Sequence, residues 1–583
     1  MSALGVVAGG AAADAITSAV PRLVDSGFAS ALFAQDASLW GPAAESEAAI
    51  RLSWVNLPRA SRPLVGEVAA LRDHLRGLGV DRVVLCGMGG SSLAPEVICN
   101  TEGLDLVVLD SSHPDVVREA LVDLGRTVVV VSSKSGSTVE TDSQRRAFEG
   151  AFAAAGIDAT ERIVVVTDPG SPLDEQSRQA GYRVVNADPN VGGRYSALTA
   201  FGLVPSGLAG ADIERLLDDA ETVADLLSAD DEANPGLRLG AAMAGTSPLR
   251  DKLVIVDAGS GIPGFPDWAE QLIAESTGKE GTGILPVVVE GEDAPELSWG
   301  AADVTVARLV GLEGGPGGAA VSGADSGAVS GAESGAESGA VSGAESGAVS
   351  GALTGASDSA EAGRSVIEVS GSLGAQFLLW EVATAVAGRL LGINPFDQPD
   401  VESAKQAARG LLEGGGSASV APAFTDGAVE VRALGGDWLG GAGSLAEAVS
   451  ALLGQLDRAA GYVAVMAYLD RHADSALEGC RAPLAASTRR PTTFGWGPRF
   501  LHSTGQFHKG GPATGVYIQV TSAPSADLKI PGRDFTFGDF IAAQAGGDAQ
   551  VLADHGRPVL QLHLTSHDTG LDQVREVLSV IGA

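Results

Sequence analysis

Cysteine is scarce in this chain: Cys86, Cys99 and Cys480 are the only three in 583 residues. An odd, small number offers no disulfide framework and points to a reducing compartment, here expected to be the cytoplasm. Positive charge is also short, with 38 Lys and Arg against 73 Asp and Glu and a formal net charge of -35. Such a field opposes nucleic acid and any general polyanion partner. A phosphorylated ligand would have to be held by a local device. No stretch approaches the roughly 18–20 uninterrupted apolar residues of a membrane span. The first 23 residues lack an early basic cluster ahead of an apolar core. The chain therefore reads as soluble, with no membrane partner. Its hydrophobic fraction of 45% and charged fraction of 19% suit large buried cores, and its length implies two to four domains.

Residues 1–80 carry a helical pattern, clearest over 64–78 (LVGEVAALRDHLRGL), where apolar residues recur at three- and four-residue spacing. The texture then changes to short β-branched runs at 83–85, 106–109, 128–131, 163–166 and 184–185, each followed by a small-residue turn and a helical stretch. Near-continuous Val/Ile runs alternating with helices indicate a parallel sheet covered on both faces. A second series follows at 253–256, 284–289, 304–309 and 366–369. The expected fold class is α/β. It comprises two doubly wound parallel-sheet domains in tandem, over 81–245 and 246–418, after the helical N-terminal segment. A third α/β segment over 419–583 has runs at 462–468, 515–521 and 559–564, and its role is the least legible.

Inside the second series the tetrapeptide Ser-Gly-Ala-X runs eight times from Ser322 to Leu353, with X mostly Asp, Val or Glu. A Gly and a Ser in every unit oppose a stable helix. The composition is that of a flexible acidic linker, read as a disordered surface-loop insertion over about 313–363.

Two loops carry chemistry. Gly87-Met88-Gly89-Gly90-Ser91-Ser92 follows the first β run and precedes a helix. A dinucleotide fingerprint needs glycine at position 92, where serine stands, and no acidic residue is placed for a ribose. A glycine turn with hydroxyls still makes an anion cradle, although a tight strand–helix turn explains it equally. The third β run ends in Ser133-Lys134-Ser135-Gly136-Ser137-Thr138, with Glu140-Thr141 entering the next helix. Hydroxyls and backbone N–H groups at the carboxyl end of a buried strand suit a phosphate without a metal; a Ser/Thr-rich helix cap is the bland alternative.

These loops resemble the sugar isomerase (SIS) phosphosugar-binding domain, and the tandem pair resembles phosphoglucose isomerases. Three further segments carry that resemblance: Val191-Gly192-Gly193-Arg194-Tyr195-Ser196, Gln271-Leu272-Ile273-Ala274-Glu275-Ser276-Thr277-Gly278-Lys279, and Asn394-Pro395-Phe396-Asp397-Gln398 running on to Lys405. The five motifs stand in the family's order over roughly residues 85–410. The resemblance implies aldose–ketose isomerisation of glucose 6-phosphate and fructose 6-phosphate through an enediolate, with no metal or other cofactor. It implies Glu275 as the base that moves a proton between C2 and C1. Arg194 would face the developing oxyanion, since guanidinium stays charged. Lys405 would assist ring opening, while Gln271 and Gln398 would hold sugar hydroxyls. Ser133, Ser135 and Thr138 would take the phosphate, with Ser91 and Lys134 lining the site. For Lys405, a helix-surface pair with Glu402 is the alternative.

One departure matters. Many members supply a ring-opening histidine from a Gly-X-His segment, but the counterpart here, Leu373-Gly374-Ala375-Gln376-Phe377, has none and leads into a buried amphipathic helix at 380–384. The later segment 499–512 (RFLHSTGQFHKGGP) is polar, glycine-bounded and contains two histidines. We expect His502 or His508 to take the role, a hinge or subunit-contact loop being the alternative. His74 and His472 lie in helical patterns and are expected to face solvent. The layout most resembles the isomerase half of bifunctional transaldolase/phosphoglucose isomerases. No transaldolase half is recognised, so isomerase activity alone is expected. Rival readings are an isomerase that also accepts mannose 6-phosphate, and a non-enzymatic phosphosugar sensor. The sensor reading predicts an intact phosphate loop without its base, and Glu275 is present. An amidotransferase reading fails because no cysteine follows Met1. A homodimer is compatible with the resemblance.

Overall fold

The computed structural model describes residues 4–312, 364–413 and 421–580. The Ser-Gly-Ala insertion lies outside the described residues.

The N-terminal region opens with a strand, β1 (Leu4–Gly9), and continues through α1 (Ala11–Asp25) and α2 (Pro63–Gly77). The helical pattern read for residues 1–80 is found from Ala11 onward, but the segment opens with this strand. The run Leu-Gly-Val-Val-Ala-Gly is too short and glycine-rich to declare itself as a strand. It becomes one by pairing antiparallel with a strand some 360 residues away, Leu4 opposite Gly371 and Gly9 opposite Val366.

The first sheet consists of β2 (Arg82–Gly87), β3 (Val107–Leu109), β4 (Thr127–Ser132), β5 (Ile163–Thr167) and β6 (Arg183–Asn186). Its order is β3-β2-β4-β5-β6 and every pairing is parallel. The central strands are buried on both faces, which is why their sequence is continuous Val and Ile rather than alternating. Helix α3 (Val139–Ala154) follows β4.

The second sheet contains β7 (Lys252–Ala258), β8 (Leu285–Val288), β9 (Val304–Val310) and β10 (Val366–Gly371) in the order β1-β10-β9-β7-β8. Its antiparallel edge is the N-terminal β1. Helix α4 (Phe265–Thr277) lies between β7 and β8; α5 (Leu373–Leu391) and α6 (Pro399–Glu413) follow β10. From Leu373 to Gly388, α5 is buried on every side, so it is a core helix instead of an amphipathic one. One apolar cluster runs through Leu4, Trp54, Leu85, Val130, Phe201, Leu272 and Trp380 and joins the two sheets' inner faces.

The third segment is a six-stranded sheet: β11 (Phe424–Asp426), β12 (Val429–Leu434), β13 (Tyr462–Tyr468), β14 (Thr492–Trp496), β15 (Gly515–Ser522) and β16 (Val559–Leu564). The order is β11-β12-β16-β15-β13-β14. Helix α7 (Phe537–Asp554) covers one face together with the second sheet: Val254, Val256 and Leu285 share a cluster with Tyr462, Met466, Tyr517 and Leu552. Ile530 and Phe537 meanwhile enter the apolar layer of the first sheet. The third segment thus packs against both preceding units.

Candidate active site

The strand order of the first sheet brings two loops to its carboxyl edge. At Gly89, with φ of 56°, a Cβ would stand 2.6 Å from Gln271 Nε2 and 2.9 Å from the His502 Cβ; at Gly90 it would stand 2.0 Å from the Gly193 carbonyl oxygen. These glycines let the first loop press against Gln271, His502 and the backbone beside Arg194. Close packing accounts for this turn, and Ser91 beside it is half-buried.

The second loop lies beyond β4. Ser133 is buried and donates to Thr138 Oγ1 at 3.1 Å; the Lys134 ammonium pairs with Asp168 at 2.6 Å and donates to the Pro189 carbonyl at 3.1 Å. Ser135 and Ser137 are exposed, their hydroxyls 2.8 Å apart. A cavity of about 390 Å³ opens above them, lined by Ser135, Ser137, Thr138, Glu140, Gln398, Lys405, Arg409, His502, Phe540 and Gln544. Its walls therefore come from the first unit, the second unit and the third segment. Arg409, Phe540 and Gln544 were not singled out from the sequence, and Ser137 appeared there only as part of its loop.

Glu275 lies near the end of α4, buried at 5% exposure. Arg194 Nη1 stands 3.7 Å from its Oε2, and Gln271 Nε2, one turn earlier, is 3.4 Å from the same oxygen. Gln271 also donates to the His502 carbonyl at 2.7 Å. Burial pushes the Glu275 carboxyl above its ordinary value, and the charges of Arg194, His502, Lys405 and Lys279 partly offset this. Arg194 is itself fixed on all sides. Its Nε donates to Ser276 Oγ at 2.8 Å, its Nη2 to the Pro395 and Asp397 carbonyls at 2.9 and 3.0 Å, and its Nη1 to Gln398 Oε1. Lys279 donates to the Asn394 carbonyl at 2.7 Å and pairs with Asp397 Oδ1 at 2.7 Å. Two cations thus clamp the turn that precedes α6, and α6 carries Lys405 into the cavity. Burial lowers the Lys279 ammonium to about 8.

The two histidines of the 499–512 segment part company. His502 ends a 3-10 turn, Arg499–His502, and its Nε2 lies 3.5 Å from Glu140 Oε1 in the cavity wall. Burial alone would push Glu140 up; the His502 hydrogen bond and charge, with Lys405, hold it below the ordinary value. His508 is 1% exposed, stacked on Tyr462 with ring centroids 5.6 Å apart, and its Nδ1 is 3.0 Å from the Tyr462 hydroxyl. Desolvation there pushes its pKa well down, so it is a neutral core histidine. This removes His508 from the candidate set. His74 is exposed on α2 as expected, whereas His472 is exposed in a turn after β13. Glu140, seen in the sequence only as a helix-entry residue, is the partner that distinguishes His502.

Among the described residues no helix is long and apolar enough to cross a membrane, and all three cysteines are buried and unpaired. No family model matches the chain. Among solved structures, a hypothetical protein of Thermus thermophilus shares the fold, with a TM-score of 0.53 at 24% identity over 70% of this chain and 99% of that one. A probable glucose-6-phosphate isomerase of Haloarcula marismortui is 31% identical over 351 residues, 57% of this chain and 78% of that protein. One from Natronomonas pharaonis is 32% identical over 366 residues, covering 61% and 85%. A glucose-6-phosphate isomerase of Rubrobacter xylanophilus is 31% identical over 385 residues, covering 60% and 87%. The buried glutamate–arginine pair beside a hydroxyl-lined cavity and these relatives lead to one conclusion: the chain belongs to the glucose-6-phosphate isomerase family.

Proposed function

We propose that the chain interconverts glucose 6-phosphate and fructose 6-phosphate, with Glu275 as the base. The observation that carries this is the buried Glu275 carboxylate 3.7 Å from the immobilised Arg194 guanidinium, which bonds Gln398 in the wall of the hydroxyl-lined cavity. Ser135, Ser137 and Thr138 would take the phosphate, with Lys405 and Arg409 supplying local positive charge against the chain's acidic field. His502 would protonate the ring oxygen as the C1–O5 bond breaks, with Lys405 assisting, and the proton lost by the anomeric hydroxyl as C1=O forms would pass through solvent back to His502. Glu275 then removes the C2 proton of the open-chain aldose, and the electron pair forms the enediolate beside Arg194. The hydroxyl proton passes from O2 to O1, and the Glu275 carboxylic acid returns its proton to C1. A base positioned this way contributes about 10²–10⁴-fold. Gln398, in the cavity wall, would hold a sugar hydroxyl, and Gln271 would hold Glu275 and the His502 turn in place. Because Ser133, Lys134 and Ser91 are engaged or packed behind the loops, we assign them to loop architecture. Unpaired cysteines accord with a cytoplasmic location.

A coupled assay tests the reading. Fructose 6-phosphate is supplied with chelator present and glucose 6-phosphate is read through its dehydrogenase. Turnover that falls by several orders of magnitude in Glu275→Gln supports it. Equal turnover in the variant rejects Glu275 as base.

A further inference from the structure

The third segment contributes more than a wall to the cavity. Gln544 sits on α7, 3% exposed, and its Nε2 donates to Glu140 Oε1 at 2.7 Å. That is the oxygen facing His502 Nε2 at 3.5 Å. On the other side of the amide, Gln544 Oε1 accepts from the Ser112 hydroxyl at 2.5 Å, and Ser112 is fully buried. The line Ser112–Gln544–Glu140–His502 therefore starts in the first unit, crosses to α7, returns to the start of α3 and ends on the 3-10 turn of the third segment.

Each link constrains the next. An amide can present either its carbonyl or its NH₂ to a neighbour. With its oxygen taken by Ser112, Gln544 presents NH₂ to the carboxylate; the reverse orientation would set a carbonyl against Glu140 and leave Ser112 without an acceptor. The amide holds the Glu140 carboxylate in one rotamer and satisfies one lone pair of a buried anion, which is costly to leave unmade. Glu140, whose Oε1 stands 3.5 Å from His502 Nε2, in turn fixes the orientation of the His502 ring.

We infer that Gln544 is a positioning residue for ring opening, acting through Glu140 on His502 and oriented by Ser112. This rests on the reading of His502 as the group that protonates the ring oxygen. An outer partner that orients a histidine typically carries about 10–100-fold.

The test separates ring opening from proton transfer by substrate. Fructose 6-phosphate is largely cyclic, whereas 5-deoxyfructose 6-phosphate has no C5 hydroxyl and cannot close the furanose ring. Gln544→Leu and His502→Gln would be assayed on both, with thermal melts to check folding. The expected result is a drop of about 10-fold or more for Gln544→Leu on fructose 6-phosphate, with turnover of the deoxy sugar retained. His502→Gln should show the same selectivity more strongly. If Gln544→Leu does not fold, Ser112→Ala, which frees the amide to turn over, replaces it. Selective loss in His502→Gln alone, or equal loss on both sugars in the Gln544 or Ser112 variant, overturns the inference and leaves the His502 reading intact. Absence of selectivity in His502→Gln overturns both.

Discussion

Glu275 lies in an environment that opposes its charge, and Arg194 is the foremost of the cations that offset this. The acid limb of kcat/KM reports ionisation of the free enzyme's base. Because burial raises the Glu275 pKa above its ordinary value, activity should fall away on acidification at a higher pH than an ordinary glutamate would give. Arg194 acts in the opposite direction. Arg194→Gln should therefore move that limb further up the pH scale while lowering kcat about 10²–10³-fold, the usual cost of losing one oxyanion donor. A pH series of initial rates on both proteins checks this, and a limb that moves down would refute the assigned pairing. The residue types at this site were legible in the sequence, since glutamate, arginine and lysine stood at family spacing. The choice between His502 and His508 was not legible. They are six residues apart in one polar segment, and only the packing of Tyr462 against one and Glu140 against the other distinguishes them.

At the scale of elements, the turn Arg499–His502 is fastened from three sides. Arg499 Nη1 bonds Asp110 Oδ2 at 2.8 Å and its Nη2 pairs with Glu96. Gln271 donates to the His502 carbonyl, and Ser503 Oγ donates to Glu270 Oε1 at 2.9 Å. Arg471 adds a second link, 3.4 Å from Glu96 and 3.7 Å from Asp110. Asp110 is 1% exposed, so removing its partner strands a buried charge, typically at a cost of about 3–5 kcal/mol. Arg499→Ala should lower the thermal midpoint measurably and reduce turnover of cyclic fructose 6-phosphate more than that of the deoxy sugar. Unchanged stability would mean that Arg471 alone satisfies Asp110. Gln506 makes a comparable tie, accepting from the Asp400 backbone N–H at 3.1 Å and donating to Asp400 Oδ2 at 2.7 Å, so the third segment also steadies the start of α6.

At the scale of the whole molecule, β9 ends at Val310 and its parallel neighbour β10 begins at Val366. Parallel neighbours need a connection of a dozen or more residues to run back along the sheet. Deleting residues 318–358 keeps about that length, so kcat and the thermal midpoint should both be retained. A large loss of activity would assign the Ser-Gly-Ala repeat a role beyond connection. Periodicity by itself determined the parallel strands of the two tandem sheets and the glycine- and serine-rich turns at their ends, and the resemblance of motifs in their order singled out Glu275, Arg194 and Lys405 as candidates. These are local properties: a doubly buried strand writes itself as continuous Val and Ile, and a turn at a strand end writes itself in glycine and serine. Tertiary structure alone decided that β1 closes the second sheet, that Lys134 is consumed by Asp168, and that α7 delivers Gln544 to Glu140. Each of these depends on partners tens to hundreds of residues apart, and pairing over that distance leaves no periodic mark on either stretch of sequence.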